Sequence, residues 1–286
     1  MDHRDRVLIS AEKLAALRAA GGPLCVLDVR WRLDEPDGSA DYLRGHIPGA
    51  VYVSLDDDLS DHHRQGRGRH PLPSGTALLD AARRWGIRTN STVVVYDDWI
   101  RAGSARAWWV LTAAGLADVR ILDGGLDAWR STSEPLETGP VAPVPGDVEV
   151  RYDDLYTGAQ PTLTAGDVAN RAADLILLDA RAPQRFEGIS EPVDPVAGHI
   201  PGARNLPSGA VLAEDGTFKT GDELNHVLAE SGVTANAQVG VYCGSGVTAA
   251  ITVAALAATG RPAALFPGSW SQWSADPSMA VARGPE

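Results

Sequence analysis

The chain is predicted to be α/β, with two domains in tandem, each a mainly parallel sheet flanked by helices on both faces. Three observations predict this: an internal repeat, an alternation of short β-branched runs with helical patterns, and a proline-rich stretch between the two copies. The expected bounds are 1–133 for the first domain, 134–160 for the linker and 161–286 for the second. A length of 286 residues fits two domains of ordinary size.

The elements follow in order. Val26-Leu27-Asp28-Val29-Arg30 opens the first copy as a buried strand, and Gly45-His46-Ile47-Pro48-Gly49-Ala50 follows as a turn. Ala77 through Trp85 has helical spacing, Val93-Val94-Val95-Tyr96-Asp97 reads as a second buried strand, and Gly124-Gly125-Leu126-Asp127-Ala128-Trp129 closes the copy. Glu134 to Gly146 holds four prolines and two glycines with no periodicity, which marks it as connecting chain. The second half answers in the same order: Leu177-Leu178-Asp179-Ala180-Arg181, Gly198-His199-Ile200-Pro201-Gly202-Ala203, Val239-Gly240-Val241-Tyr242-Cys243, the helical stretch Ala249 to Ala258, and Gly268-Ser269-Trp270-Ser271-Gln272-Trp273. Parallel α/β sheets of this kind place sites at the carboxyl ends of their strands. His46 and His199, present in both copies, are expected to be structural and to bond strand-end carbonyls; Asp28 and Asp179 fit the same role.

Composition narrows the function classes. A net charge of −12 argues against nucleic acid or an anionic membrane as partner, since both are gripped by basic patches. An anionic ligand would then need locally placed arginines or amides. The start has no long apolar segment and no run approaches membrane-spanning length, so the chain reads as cytoplasmic and complete. Two cysteines make no disulfide framework, and a lone functional thiol suits a reducing compartment. Asp61-His62-His63 lacks a second ligand cluster, so no metal is expected, and no cofactor motif is present.

Cys243 carries the chemistry. It ends a strand and opens Gly244-Ser245-Gly246-Val247-Thr248 ahead of a helix, where unpaired amides and the helix dipole favour a thiolate and the glycines let the backbone curl into an anion nest. Cys25, inside Pro23-Leu24-Cys25-Val26-Leu27, reads as a buried structural thiol. Cysteine phosphatases need Cys-x5-Arg, but Ala249 stands at that place and the loop contains no arginine, so phosphoryl chemistry is disfavoured. At the equivalent point of the first copy Asp97 replaces the thiol, so that copy cannot do thiolate chemistry.

One silent and one thiol-bearing copy, with Tyr42-Leu43-Arg44-Gly45-His46-Ile47-Pro48-Gly49-Ala50 early and Phe266-Pro267-Gly268-Ser269-Trp270-Ser271-Gln272-Trp273 late, resembles the tandem-domain rhodanese family over nearly the whole length. These are the thiosulfate and 3-mercaptopyruvate sulfurtransferases. Gln272 stands where the second pattern usually has Glu. The resemblance implies a ping-pong reaction: Cys243 takes a sulfane sulfur from a small anionic donor as a persulfide and passes it to a thiol, cyanide or a protein thiol. The amides of Gly244, Ser245, Gly246, Val247 and Thr248 would stabilise the thiolate and the terminal sulfur. A recognition module without turnover is the alternative from another class.

The loop Cys-Gly-Ser-Gly-Val-Thr is similar to that of the 3-mercaptopyruvate branch, and Arg185 matches the family's substrate-binding arginine, though it also reads as a surface arginine. A second family arginine would fall just after Glu191-Pro192, where this chain has Val193-Asp194, so thiosulfate stays open as donor. Ser245, His70 and Asp56 match a proton-handling triad proposed for that branch, in which His70 would protonate the departing enolate through Ser245. His70 equally reads as a solvent-facing loop histidine. Trp31 either packs beside the site or is an ordinary core aromatic.

Overall fold

The computed structural model describes residues 2–285. The chain forms two compact units: Met1–Asp61 with Leu72–Gln160 and Glu214–Phe218, and His62–Pro71 with Pro161–Ala213 and Lys219–Glu286. Two short segments thus belong to the unit other than their neighbours in sequence, a grouping that loops without periodicity do not announce.

The first unit holds strands β1 (Leu8–Ile9), β2 (Leu24–Asp28), β3 (Val51–Tyr52), β4 (Thr92–Tyr96) and β5 (Val119–Leu122), all paired parallel in the order β1-β5-β4-β2-β3. The second unit repeats the plan with β6 (Leu175–Asp179), β7 (Arg204–Asn205), β8 (Gln238–Tyr242) and β9 (Ala264–Leu265), in the order β7-β6-β8-β9. A parallel bridge from Thr162 to Leu265 stands where β1 stands in the first copy. Helices cross between the strands, as parallel pairing requires. Gly75–Arg84 and Ala249–Ala258 form where the periodicity placed them. The second of these is buried almost all round, which its unbroken apolar run dictates.

Residues 134–160, expected as a linker, are bonded to the first unit. Glu137 and His46 exchange backbone hydrogen bonds, and the Gly139, Val148 and Arg151 amides donate to the Leu43, Ile87 and Ala114 carbonyls. Prolines cannot donate, but the amides between them can, and they find acceptors.

The repeated polar residues build the same joint twice. Asp28 takes the Arg30 guanidinium on both carboxylate oxygens and Asp179 takes that of Arg181; each arginine also donates to a turn carbonyl, that of Gly45 or Gly198. Tyr96 and Tyr242 accept the Ile47 and Ile200 amides, each at 3.1 Å. Burial, and then the adjacent aspartate, pushes both phenols well above their usual pKa, so they stay neutral. The two histidines are buried, and each Nδ1 meets a carbonyl of the preceding helix, Tyr42 O at 2.9 Å or Phe186 O at 2.8 Å, and not a strand end. Each ring also stacks on that same residue, which fixes the histidine against the helix. Cys25 is buried, its Sγ donates to the Trp85 carbonyl, and burial pushes the thiol up to about 12.

Candidate active site

β8 is central in its sheet, and Asp179 and Tyr242 end β6 and β8 in register. Cys243 is the next residue. The Ala180 amide bonds Tyr242 O and the Phe266 amide bonds Val241 O, so the chains leaving β6 and β9 clamp the exit of β8 on both sides. Cys243 is therefore held at the carboxyl edge, and it is only 1% exposed.

The loop after it curls back on the sulfur. The Gly246 amide donates to Cys243 Sγ at 3.2 Å and, among the described residues, is the one loop amide that reaches it. The curl depends on Gly246 adopting φ +77°, and a Cβ there would strike the Pro267 carbonyl oxygen. Val247 and Thr248 lead into the helix Ala249–Ala258, and Thr248 makes no side-chain cap bond, so the first-turn amides are left to the loop. The Cys243 amide donates to Ser269 Oγ, which in turn donates to Phe266 O. The Trp270 and Ser271 amides take the carbonyls of Cys243 and Gly244. Cys243 thus sits in a backbone frame tied to the helix Ser269–Trp273.

Ser245 and His70, both about 5% exposed, meet at 2.8 Å between Oγ and Nδ1. His70 is buried in the second unit rather than facing solvent. Arg185, in the short helix Pro183–Phe186, is half-buried and binds Glu191 through Nε and Nη2 and Asp194 through Nη2. It is a member of a buried ion network rather than a free surface arginine. Glu191 also takes Arg181; burial alone would raise its pKa, but the Arg185 hydrogen bond, the Asp194 amide and the Arg185 charge hold it below the usual range. Asp56, on the helix Leu55–Asp58, and Trp31, buried after β2, belong to the first unit. The structure therefore gathers Cys243, Gly244, Ser245, Gly246, Val247, Thr248, His70 and Arg185 in one unit.

Three residues that the sequence reading did not assign to the site join them. Ser269 anchors the Cys243 amide with its own φ at +52°; its repeat partner Gly125, also at positive φ, could have flagged it. Asp194, noted only for not being arginine, accepts from both Arg185 and Arg69. Arg69 has no motif of its own. Among the described residues no group of three His, Cys, Asp or Glu side chains is placed to hold a metal ion.

In the first unit, the loop equivalent to Cys243–Thr248 already contains an anion. Asp97 accepts the amides of Trp99, Arg101 and Ser104 and the Ser104 hydroxyl, and the buried Arg101 guanidinium lies 3.1 Å from it. The same strand-to-helix turn thus receives a carboxylate in one copy and a thiol in the other.

The model of the rhodanese-like domain matches residues 10–132 and 164–276. A Mycobacterium tuberculosis protein named "Putative thiosulfate sulfurtransferase SseB" is 62% identical over 284 residues, covering 99% of both chains. Human 3-mercaptopyruvate sulfurtransferase is 34% identical over 278 residues, 94% of this chain and 92% of its own. The crystal structure of SseA, a 3-mercaptopyruvate sulfurtransferase from Escherichia coli, superposes with a TM-score of 0.80 at 32% identity, covering 92% of this chain and 98% of that one. With both halves matched and relatives aligned end to end, the chain belongs to the rhodanese family, as a protein of two rhodanese-like domains in tandem.

Proposed function

We propose that the protein is a sulfurtransferase in which Cys243 carries the sulfur. The observation that carries this reading is the buried Cys243 Sγ receiving the Gly246 amide at the mouth of a glycine loop. The thiolate attacks the outer sulfur of the donor, the S–S bond to Cys243 forms, and the donor's bond to that sulfur breaks with its electron pair. From 3-mercaptopyruvate the leaving group is the enolate of pyruvate, which takes up a proton; from thiosulfate it is sulfite, which needs none. The terminal persulfide sulfur lies about 2 Å beyond Sγ, where the remaining loop amides can receive its charge. A thiol, cyanide or protein thiol then removes the sulfur and restores Cys243. Among the described residues no helix is long and apolar enough to cross a membrane, and a cytoplasmic setting suits a reduced thiol.

3-Mercaptopyruvate is the donor favoured. An enolate leaving group needs a proton, and the Ser245–His70 pair, 2.8 Å apart beside the thiol, is a path for one. Arg185 offers a guanidinium toward Gly244 for the donor's carboxylate. For Asp56 and Trp31 the proposal rests on the family resemblance alone. The name of the mycobacterial relative keeps thiosulfate as the second reading. Incubation with either donor should add about one sulfur, roughly 32 Da, removable by a thiol. Cys243→Ser should keep its fold and lose both the adduct and turnover; an adduct that survives this substitution would refute the assignment.

A further inference from the structure

We propose that Ser269 is a positioning residue for sulfur transfer: its hydroxyl, interposed between two strand ends, sets Cys243 Sγ against the Gly246 amide. This rests on the sulfurtransferase reading and deepens it. The first sign is the backbone of Ser269 itself. It is fully buried and sits at φ +52°, a left-handed conformation that strains a residue carrying a Cβ. Strain of this kind persists where its surroundings impose it, and it gathers at functional sites. Glycine would avoid it, and the first copy has glycine at the equivalent place, Gly125 at φ +58°. There the turn closes with the Leu126 amide on Asp97 O at 3.0 Å; in the second copy the Trp270 amide takes Cys243 O at the same distance. The turn therefore forms without a hydroxyl, and the serine needs another reason.

The ladder between β8 and β9 supplies one. Val241 stands opposite Leu265, and the Phe266 amide donates to Val241 O at 2.9 Å. In a parallel ladder the next rung joins the Cys243 amide directly to Phe266 O. Here that rung runs through Ser269: the Cys243 amide donates to Oγ at 3.1 Å, and Oγ donates to Phe266 O at 2.9 Å. One inserted oxygen parts the two strands at the thiol-bearing residue. Cys243 is 1% exposed and Phe266 is fully buried, so neither backbone group can turn to water instead. The following amides, of Trp270 and Ser271, take the carbonyls of Cys243 and Gly244. The peptide groups on both sides of Cys243 are thus set, and with them the direction of its side chain, whose Sγ meets the Gly246 amide at 3.2 Å.

Without the hydroxyl the Cys243 amide and the Phe266 carbonyl close into a direct rung, which draws Cys243 toward β9 and its sulfur off the Gly246 amide. A reacting atom misplaced by about 1 Å can lose about 100-fold in rate. Because the change lies at the thiol, the loss falls on the rate of attack and not on donor affinity, and it is the same for both donors. The hydroxyl accompanies the thiol-bearing copy alone. In the first copy, where Asp97 replaces the thiol, Gly125 leaves this space to the Arg101 guanidinium, which a Cβ would strike.

The test follows single-turnover persulfide formation against the concentration of 3-mercaptopyruvate and of thiosulfate, with thermal melting alongside, in the full-length parent, Ser269→Gly and Ser269→Ala. Both variants should lower the saturating rate by about 10- to 100-fold with either donor, while the half-saturating concentration stays within about 3-fold. Ser269→Gly should melt above Ser269→Ala, because glycine accepts the left-handed backbone, yet gain nothing in rate. A serine that served the fold alone would not separate stability from rate in this way. A parental rate in Ser269→Gly, with the loss confined to Ser269→Ala, would overturn the proposal, since backbone strain and not the hydroxyl would then be at work. So would a raised half-saturating concentration at an unchanged saturating rate, or a loss with one donor only. Should the parent form no Cys243 adduct with either donor, the sulfurtransferase reading fails first; an adduct formed at the parental rate by Ser269→Gly sinks this inference alone.

Discussion

Gly246 supplies the amide that meets Cys243 Sγ and takes the positive φ that brings this amide there. Gly246→Ala should therefore lower the rate of persulfide formation by about 100-fold, the usual cost of one lost anion-stabilising donor. It should also reduce stability by about 1–2 kcal/mol, the penalty for a side chain in the left-handed region, before any collision with Pro267 is counted. Stopped-flow adduct formation and thermal melting read the two effects. Glu191 offers a pH test. Its folded pKa lies below the ordinary 4.5, so its contribution is complete above that value and is lost as pH falls toward the folded one. Glu191→Gln should melt lower than the parent at neutral pH, by an amount equivalent to about 2 kcal/mol, and the gap should narrow below pH 4.5. A gap constant with pH would show that the carboxylate's charge is not what stabilises the network. At this scale Cys243 stood out through the glycine-rich loop that follows it, whereas Arg185 and Ser245 entered as site residues only through the family resemblance. Arg69 was not legible: an arginine in a glycine-rich loop has no signature until the fold brings it to Asp194 and Gly244.

The strand-turn-helix element exists twice, with its anion built in once. In the first copy Asp97 takes three amides and a hydroxyl, and Arg101, 2% exposed, closes over it. Gly125, whose Cβ would fall on that guanidinium, leaves the room for it. Restoring the thiol is then not enough to restore chemistry. In a Cys243→Ser background, Asp97→Cys should gain no sulfur from either donor and should lose about 3–5 kcal/mol, because a buried arginine is left without its carboxylate. Sulfur on the introduced thiol would mean that the strand end alone confers reactivity and that the loop is dispensable. Sequence periodicity placed the elements well, since β4 and β8 and the helix Ala249–Ala258 are continuous apolar runs. It misjudged residues 134–160, whose prolines read as loose chain while the intervening amides pair with the first unit. It also put the histidine bond on a strand, because sequence shows that His46 and His199 recur but not that the carbonyl of the preceding helix is nearer.

Across the whole molecule, duplication made the fold readable: the same strings in the same order predicted two parallel sheets, and the strand orders coincide once the Thr162 bridge stands in for β1. What duplication hides is the exchange of residues 62–71 and 214–218 between units, since neither segment has a counterpart string. His70 and Arg69 lie in the first of these, so a reading by halves separates them from the thiol they accompany. The chain's two cysteines let its chemistry be tested against its own control. Cys25 is buried with its thiol pushed up to about 12, whereas Cys243 meets an amide at the loop mouth. The decisive measurement is mass mapping of the sulfur after a single exposure of the native protein to 3-mercaptopyruvate. One sulfur per chain on the peptide containing Cys243, none on that containing Cys25, and release by added thiol is the result expected; sulfur on Cys25, or on neither cysteine, would contradict the account.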